Sequence, residues 1–356
     1  MDKTILSKTF NERLEIQKAI WLDNRWLYLL VGFLLGGLLG ATIELLTRNL
    51  NSLLVNLVPE AIGMLVTVLI INRIVENNRL KMLRDELYSN LHSRSNDTVL
   101  NALQRIRQYK WLEDDYFEKL DLTRANWADA YVGKLNFQRA NLYKSNFSQV
   151  TNFYKQSHDA TVFDFAFMRE INLENAHLYK SSFIKTDLIQ SNLKGAYFVF
   201  SVFKQADLSR ATLNETNLTQ ADLEDVSLHR TSAVNTSFLN ANLSGSVATS
   251  AIFENCDLRG VDFTWSYLLG ATFSGSVLNS ANFIGAELTF ADTSSANWYQ
   301  HETPDTFPLM PDGSYWNPED NLERFTDPKH PEYIATRIAI NAIREQMGHS
   351  PLPMFD

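Results

Sequence analysis

Cysteine is almost absent: Cys256 stands alone in 356 residues, which excludes an intramolecular disulfide and any thiolate cluster for zinc or iron. That fits a reducing compartment. Bases are in deficit too, 32 against 41 acids, for a formal charge of -9. Broad, salt-sensitive binding to nucleic acid draws on Lys and Arg neutralising phosphates, so this balance argues against it and favours a basic partner. Also missing are a nucleophile elbow, a phosphate loop, a zinc-type His/Cys pairing and a dinucleotide fingerprint. No catalytic residue, cofactor site or metal site is assigned, and the chain reads as a non-enzyme. What is present is apolar content, 45% of the residues, enough to bury a core.

From Trp26 to Ile43 the chain carries no charge, and a helix of that length spans about 27 Å, close to a bilayer's hydrocarbon thickness. A second apolar stretch, Leu53 to Ile71, is interrupted by Asn56, Pro59 and Glu60. Pro59 and Glu60 suit the first turn of a helix, where a missing N–H costs nothing and a carboxylate meets the positive dipole end. Lys3, Lys8, Arg13, Lys18 and Arg25 precede the first stretch, Arg73, Arg79, Lys81 and Arg84 follow the second, and only Arg48 lies between. The positive-inside tendency then predicts an inner-membrane hairpin with both termini cytoplasmic, and lipid as one partner. Gly32, Gly36 and Gly40 recur every fourth residue on one helical face, which suits close helix packing against the other span or a second copy of the chain.

Ile74 to Ser93 and Thr98 to Tyr116 show helical spacing of Leu among Arg, Glu and Asn, with Asp97 as the expected N-cap of the second helix. Beyond them a period of five governs. Large apolar residues fall at Leu122, Trp127, Val132, Phe137, Leu142 and Phe147, and again, offset by one, at Phe153, Phe163, Met168, Leu173 and every fifth position to Leu288, with Ala233 and Ala248 as smaller steps. One extra residue between Phe147 and Phe153 accounts for the offset, and His158 then takes a large inward position. Two residues before each sits a small one, such as Ala206, Ala221, Cys256 or Ala281. A period of five is neither 3.6 nor 2, so the chain must turn once per repeat to keep these positions buried.

Ala140-Asn141-Leu142, Ala206-Asp207-Leu208, Ala221-Asp222-Leu223, Ala241-Asn242-Leu243 and Ala281-Asn282-Phe283 resemble the A-(D/N)-(L/F)-x-x signature of the pentapeptide-repeat family. The resemblance implies a mainly β chain, with a right-handed quadrilateral β-helix of four repeats per coil and about nine coils at sheet spacing. The organisation expected is a cytoplasmic segment over residues 1–25, a transmembrane helical hairpin over 26–75 and an amphipathic helical connector over 76–116. The β-helix follows over 117–299, and a C-terminal cap over 300–356 with a helix from Tyr333 to Met347. Cys256 occupies a small inward slot and reads as an inert buried thiol. Asp207, Asp222, Asp257, Asp262 and Asp292 recur beside turns and are structural.

Charge is uneven along the array. From Ala211 to Tyr299 the only bases are Arg230 and Arg259. Some soluble members of the family resembled here mimic DNA with an acidic rod and act on topoisomerases, which makes Glu215, Asp222, Glu224, Asp225, Glu254, Asp257 and Asp262 a candidate partner surface. The leading expectation is a membrane-tethered scaffold that docks a protein partner on the faces of the rod. Two others stand beside it: a membrane effector whose helices oligomerise and disturb the bilayer, and the DNA mimic.

Overall fold

The computed structural model describes residues 50–109, 111, 117–154, 157–298, 307–319 and 321–354. The first expected span and Gly32, Gly36 and Gly40 lie outside them. The chain divides into two compact units, Met1–Asp85 and Glu86–Asp356.

In the first unit helix α1, Leu50–Asn90, begins and runs on past the boundary. It merges the expected second span with the expected first connector helix, because nothing between Ile71 and Ile74 breaks the backbone. Pro59 and Glu60 therefore lie inside the helix and not in its first turn. Among the described residues this is the one helix long and apolar enough to cross a membrane, with that stretch starting at Ala61. Ile62, Leu69, Ile70, Ile71 and Ile74 are all exposed.

In the second unit the last turn of α1 buries Leu87 and Tyr88, the turn after it buries Leu91, and helix α2, Asn96–Gln108, buries Val99, Ala102, Leu103 and Ile106. The cap residue of α2 is Ser95, whose carbonyl accepts from Val99 N–H, while Asp97 sits in the first turn, where its charge still meets the helix dipole. The helix ends at Gln108, short of Tyr116, with Tyr109 as its C-cap. Together these elements close the near end of the repeat array. Trp127 Nε1 donates to Leu91 O at 3.0 Å, Asn126 N–H donates to Ser93 O at 2.9 Å, and Arg107 donates to Tyr131 O.

The array is a four-sided solenoid. Parallel bridges join residues 20 apart, as in Asp121↔Asn141, Ser182↔Val202 and Asp262↔Asn282, so four five-residue repeats make one coil. Named by their inward residues, the first side stacks Leu122, Leu142, Met168, Leu188, Leu208, Leu228, Ala248, Leu268 and Leu288. The second runs from Trp127 and Phe147 to Phe273, the third from Val132 and Asn152 to Trp298, and the fourth from Phe117, Phe137, Phe163, Phe183 and Phe203 to Phe283. On the fourth side the Phe rings stack face to face, Phe163–Phe183 at 4.9 Å and Phe183–Phe203 at 4.6 Å. Each buried Leu or Phe contributes about 1.5–3 kcal/mol.

The period has a backbone cause. In nearly every repeat the second residue after the inward one has positive φ, for example Arg124 at 59°, Lys180 at 54° and Asn240 at 54°. That left-handed corner closes a four-residue turn such as Ala125 N–H→Leu122 O at 2.9 Å. The Asp or Asn before each inward residue braces the turn, with Asp207 Oδ1 accepting from Ser209 N–H and Asp262 Oδ1 from Thr264 N–H, both at 2.9 Å.

One coil departs from the rule. Asn136↔Val162, Asn141↔Phe167, Asn146↔Asn172 and Thr151↔His177 are 26 residues apart rather than 20. Six residues are thus inserted where the third side turns into the fourth, and not one. They form an antiparallel hairpin of strands β1, Phe153–Tyr154, and β2, Ser157–His158, with Phe153 paired to His158. The large inward position belongs to Asn152, fully buried, while Phe153 is 48% exposed, and His158 lies in the hairpin instead of the shaft. Two short parallel strands, β3 Ser232–Val234 and β4 Ile252–Glu254, sit further along.

At the far end Leu309 bridges Asn282 and so adds a rung to the fourth side, with Met310 buried. Helix α3, Glu323–Thr326, buries Phe325, and Phe290 N–H donates to Thr326 O. Helix α4, Tyr333–Gln346, packs Tyr333, Ile340 and two arginines against the last coils. It stops at Gly348, whose φ of 82° suits a glycine after a helix.

Candidate interaction surface

The seven acidic candidates do not form one patch. Asp222, Glu224, Asp225 and Asp262 lie along the fourth side, Glu215 and Glu254 belong to the second, and Asp257 to the third, as their coil register requires. Several are engaged. Lys204 bridges Asp222 at 3.1 Å and Glu224 at 2.6 Å, Lys194 reaches Glu215 at 3.5 Å, and Arg259 holds Asp257 at 2.6 Å. Burial pulls the Asp257 carboxyl up, but the hydrogen bonds and charge of Arg259 outweigh it, and the net shift is below the usual carboxylate value. On the fourth side Asp222, Glu224 and Asp225 share one coil, and the next coil carries Asn242, Ser244 and Gly245 before Asp262 follows.

Burial explains the other polar residues that the shaft admits. Cys256 Sγ donates to Ala233 O at 2.8 Å, and burial pushes its thiol up to about 12, which keeps it protonated and unreactive. Asn152 Nδ2 donates to Tyr179 O at 2.7 Å and to Ser181 Oγ at 3.1 Å. It ties the coil to the next one at the point where the hairpin leaves. Gly133 makes room for the hairpin's return: a Cβ there would stand 2.3 Å from the Tyr131 hydroxyl, which donates to Asp159 at 2.6 Å.

At the far end a buried ion pair joins Arg337 of α4 to Glu287 of the first side, with Thr289 donating to the same carboxylate. Arg344 is buried as well and donates to Gly285 O at 2.6 Å and Tyr267 Oη at 2.9 Å; burial lowers its pKa. These contacts clamp α4 to the array. Among the described residues no group of three His, Cys, Asp or Glu could hold a metal ion.

The sequence reading passed over the exposed aromatics at left-handed corners. Phe165, at φ 59°, and Phe200, at φ 59°, are 44% and 41% exposed, although bulky side chains disfavour that backbone region. Trp265, at φ 61°, is explained by packing: His349 stacks on it at 4.3 Å, and the coil beyond carries Gly285 where a Cβ would strike its ring. Phe165 and Phe200 have no ring stacked on them, and Phe200 meets only the edge of Tyr179 at 5.6 Å. Arg139 and Lys185 flank Phe165, each 5.8 Å from its ring centroid, and Lys180 lies 5.7 Å from that of Phe200. The signal was present in the sequence as Phe at corner positions where Lys, Gln, Asn and Gly are usual.

Fold and surface together define a repeat protein whose coils are closed by structure at both ends. A family model described as pentapeptide repeats matches residues 159–195, 191–230, 227–264 and 256–292, and the repeat array belongs to the pentapeptide-repeat family. No curated protein matches the chain. Similar solved structures include the pentapeptide-repeat protein HetL of the cyanobacterium Nostoc sp. strain PCC 7120, at 23% identity. That match covers 59% of this chain and 98% of HetL, with a TM-score of 0.33. The plasmid-mediated fluoroquinolone resistance protein QnrB1 is 16% identical, over 66% of this chain and 94% of its own, with a TM-score of 0.33.

Proposed function

We propose that the chain is a non-enzymatic scaffold, tethered to the cytoplasmic face of the inner membrane, that docks a protein partner on the sides of its repeat array. One observation carries the reading. The inward positions of the array are filled with side chains down its length, so its free chemistry is the repeating outer surface, while the apolar part of α1 has none of its residues buried within the chain. A segment of that kind needs lipid or protein around it. The excess of Arg and Lys after Ile71 supports a cytoplasmic array.

Membrane fractions washed with alkaline carbonate test the tether: retention in the pellet is expected, and release into the supernatant removes it. Crosslinking in intact cells followed by purification in mild detergent tests docking. A defined partner, lost when outward residues of one side are replaced, is expected. Return of the protein alone, under conditions where its neighbours are expressed, counts against the scaffold.

A further inference from the structure

Charge is placed unevenly around the coil as well as along it. Two corner columns flank the first side. The column between the fourth side and the first carries Lys119, Arg139 and Lys185, and the column between the first side and the second carries Arg124, Arg210 and Arg230. None of these six forms an ion pair among the described residues, and Arg139 and Lys185 lie against the Phe165 ring. The other cations of this side are already used, Lys144 by Glu170 at 3.2 Å and Arg169 by Asp187 at 2.7 Å. Against the six stand three acids outside ion pairs, Asp121, Asp207 and Asp225. Asp164, round the corner on the fourth side, is turned to the next coil, where Ser182 Oγ donates to it at 2.6 Å and Ile184 N–H at 2.9 Å. The third side, opposite, has no such excess: Lys134, Lys180 and Arg259 are matched by Asp129, Glu215 and Asp257. Aromatic surface accompanies the cations. Phe165 and Phe167 are both exposed, and Tyr143 lies beside Phe167 with ring centroids 5.9 Å apart.

We propose that the first side of the array docks on anionic lipid headgroups, the phosphates of the membrane that holds α1. The placement of the cations selects a plane as the occupant. They line both edges of the side and run from Arg124 to Arg230, five coil steps of about 4.8 Å each. An extended acidic peptide follows one line and meets one column, whereas a headgroup surface meets both at once. Lys and Arg beside exposed aromatics are also the side chains that suit a membrane boundary, where rings sit at headgroup level and cations meet the negative surface of the cytoplasmic leaflet. Phe165, held at a left-handed corner at the edge of this side, gains a purpose there. The occupant is already at hand: a chain tethered through α1 keeps the lipid at high effective concentration, so weak contacts suffice. Salt screens them. The third side then remains turned away from the lipid for a protein partner. This inference rests on the membrane tether proposed above and is independent of which protein docks.

The test uses the full chain reconstituted in vesicles with nitroxide-bearing acyl chains, made of phosphatidylcholine alone or of equal parts phosphatidylcholine and phosphatidylglycerol. Cys256 is buried, so a fluorophore goes to an introduced cysteine. Gln190→Cys and Gln220→Cys place it at diagonally opposite corners, both exposed and both at positive φ, and Ile70→Cys places it on exposed surface of α1. The Ile70 label should be quenched in both kinds of vesicle, the Gln190 label only in the anionic ones, and the Gln220 label in neither. Arg139→Gln with Lys185→Gln introduces a residue type the same column already holds at Gln205. The pair should lower the ratio of docked to free array by about thirtyfold, at about fivefold per cation. Equal quenching of the Gln190 and Gln220 labels overturns the proposal. So does a Gln190 label indifferent to phosphatidylglycerol or to the double variant. Shielding of that label by polyglutamate, without quenching in anionic vesicles, overturns it too and gives the side to an acidic protein. An unquenched Ile70 label strikes down the tether alone, since the Gln190 label decides the docking in either case.

Discussion

The two halves of the array follow one repeat but differ in what they carry. Up to Arg210 the coils hold the hairpin insertion, the polar shaft residue Asn152 and the exposed corner aromatics Phe165 and Phe200, whereas the far half has one exposed corner phenylalanine, Phe290, in its last coil. From Ala211 onward the bridges keep a spacing of 20 until the last rung, Asn282↔Leu309. There the corners fill with Gly245, Gly260, Gly270, Gly275 and Gly285, which adopt positive φ without steric cost. Regular coils with relaxed corners serve stability, and the irregular, strained ones are where a solenoid can present something specific.

The largest contrast lies at the two ends. Arg337→Met removes the only cation from a side-chain pair just 2% and 4% exposed, which leaves Glu287 charged and buried at a cost of about 3–5 kcal/mol. Arg107→Met at the near end gives up a bond to a neutral carbonyl, Tyr131 O, and should cost about 1.5–3 kcal/mol. Urea denaturation of both variants decides it; equal losses would show that the far clamp carries no special weight. Within the shaft, Phe183→Ala breaks a stack with Phe163 and Phe203 and should cost about 3–5 kcal/mol, against about 2–5 for Leu258→Ala in the acidic half. A Leu258→Ala loss that exceeds the Phe183→Ala loss would reverse the ranking.

The next expected effect is at the seam. Asn152→Ala removes two buried hydrogen bonds and should cost about 1–3 kcal/mol, with hydrogen exchange rising first around Tyr179 and Ser181. Exchange that stays unchanged there would mean the amide ties nothing together. This seam also shows what the sequence could and could not reveal. A five-residue period reports burial directly, so the shaft, the slot of Cys256 and the turn-bracing aspartates were legible. Six inserted residues leave the same remainder as one when counted by fives, so Phe153 and His158 fell into register by coincidence and Asn152 was passed over. Arg337 and Arg344 were illegible for another reason: their partners Glu287 and Gly285 lie far back in the chain, and nothing local to α4 signals them. Ser95 and Asp97 are both good capping residues, and only the backbone of the preceding turn chooses between them.

The smallest expected effect bears most directly on what the halves are for. Phe200 and Asn240 occupy the same corner column two coils apart, with φ of 59° and 54°. Asn tolerates the left-handed region because its short polar side chain bonds locally, while a bulky side chain costs about 1 kcal/mol there. Asn240→Phe should therefore destabilise the acidic half by about that amount. Phe200→Asn should stabilise the other half, by less, because it also gives up the ring contact with Tyr179 at 5.6 Å. Equilibrium unfolding of the two variants measures both signs. If Phe200→Asn lowers stability, the ring is ordinary packing; if it raises stability, the aromatic is held at that corner for contact with a partner and not for the fold.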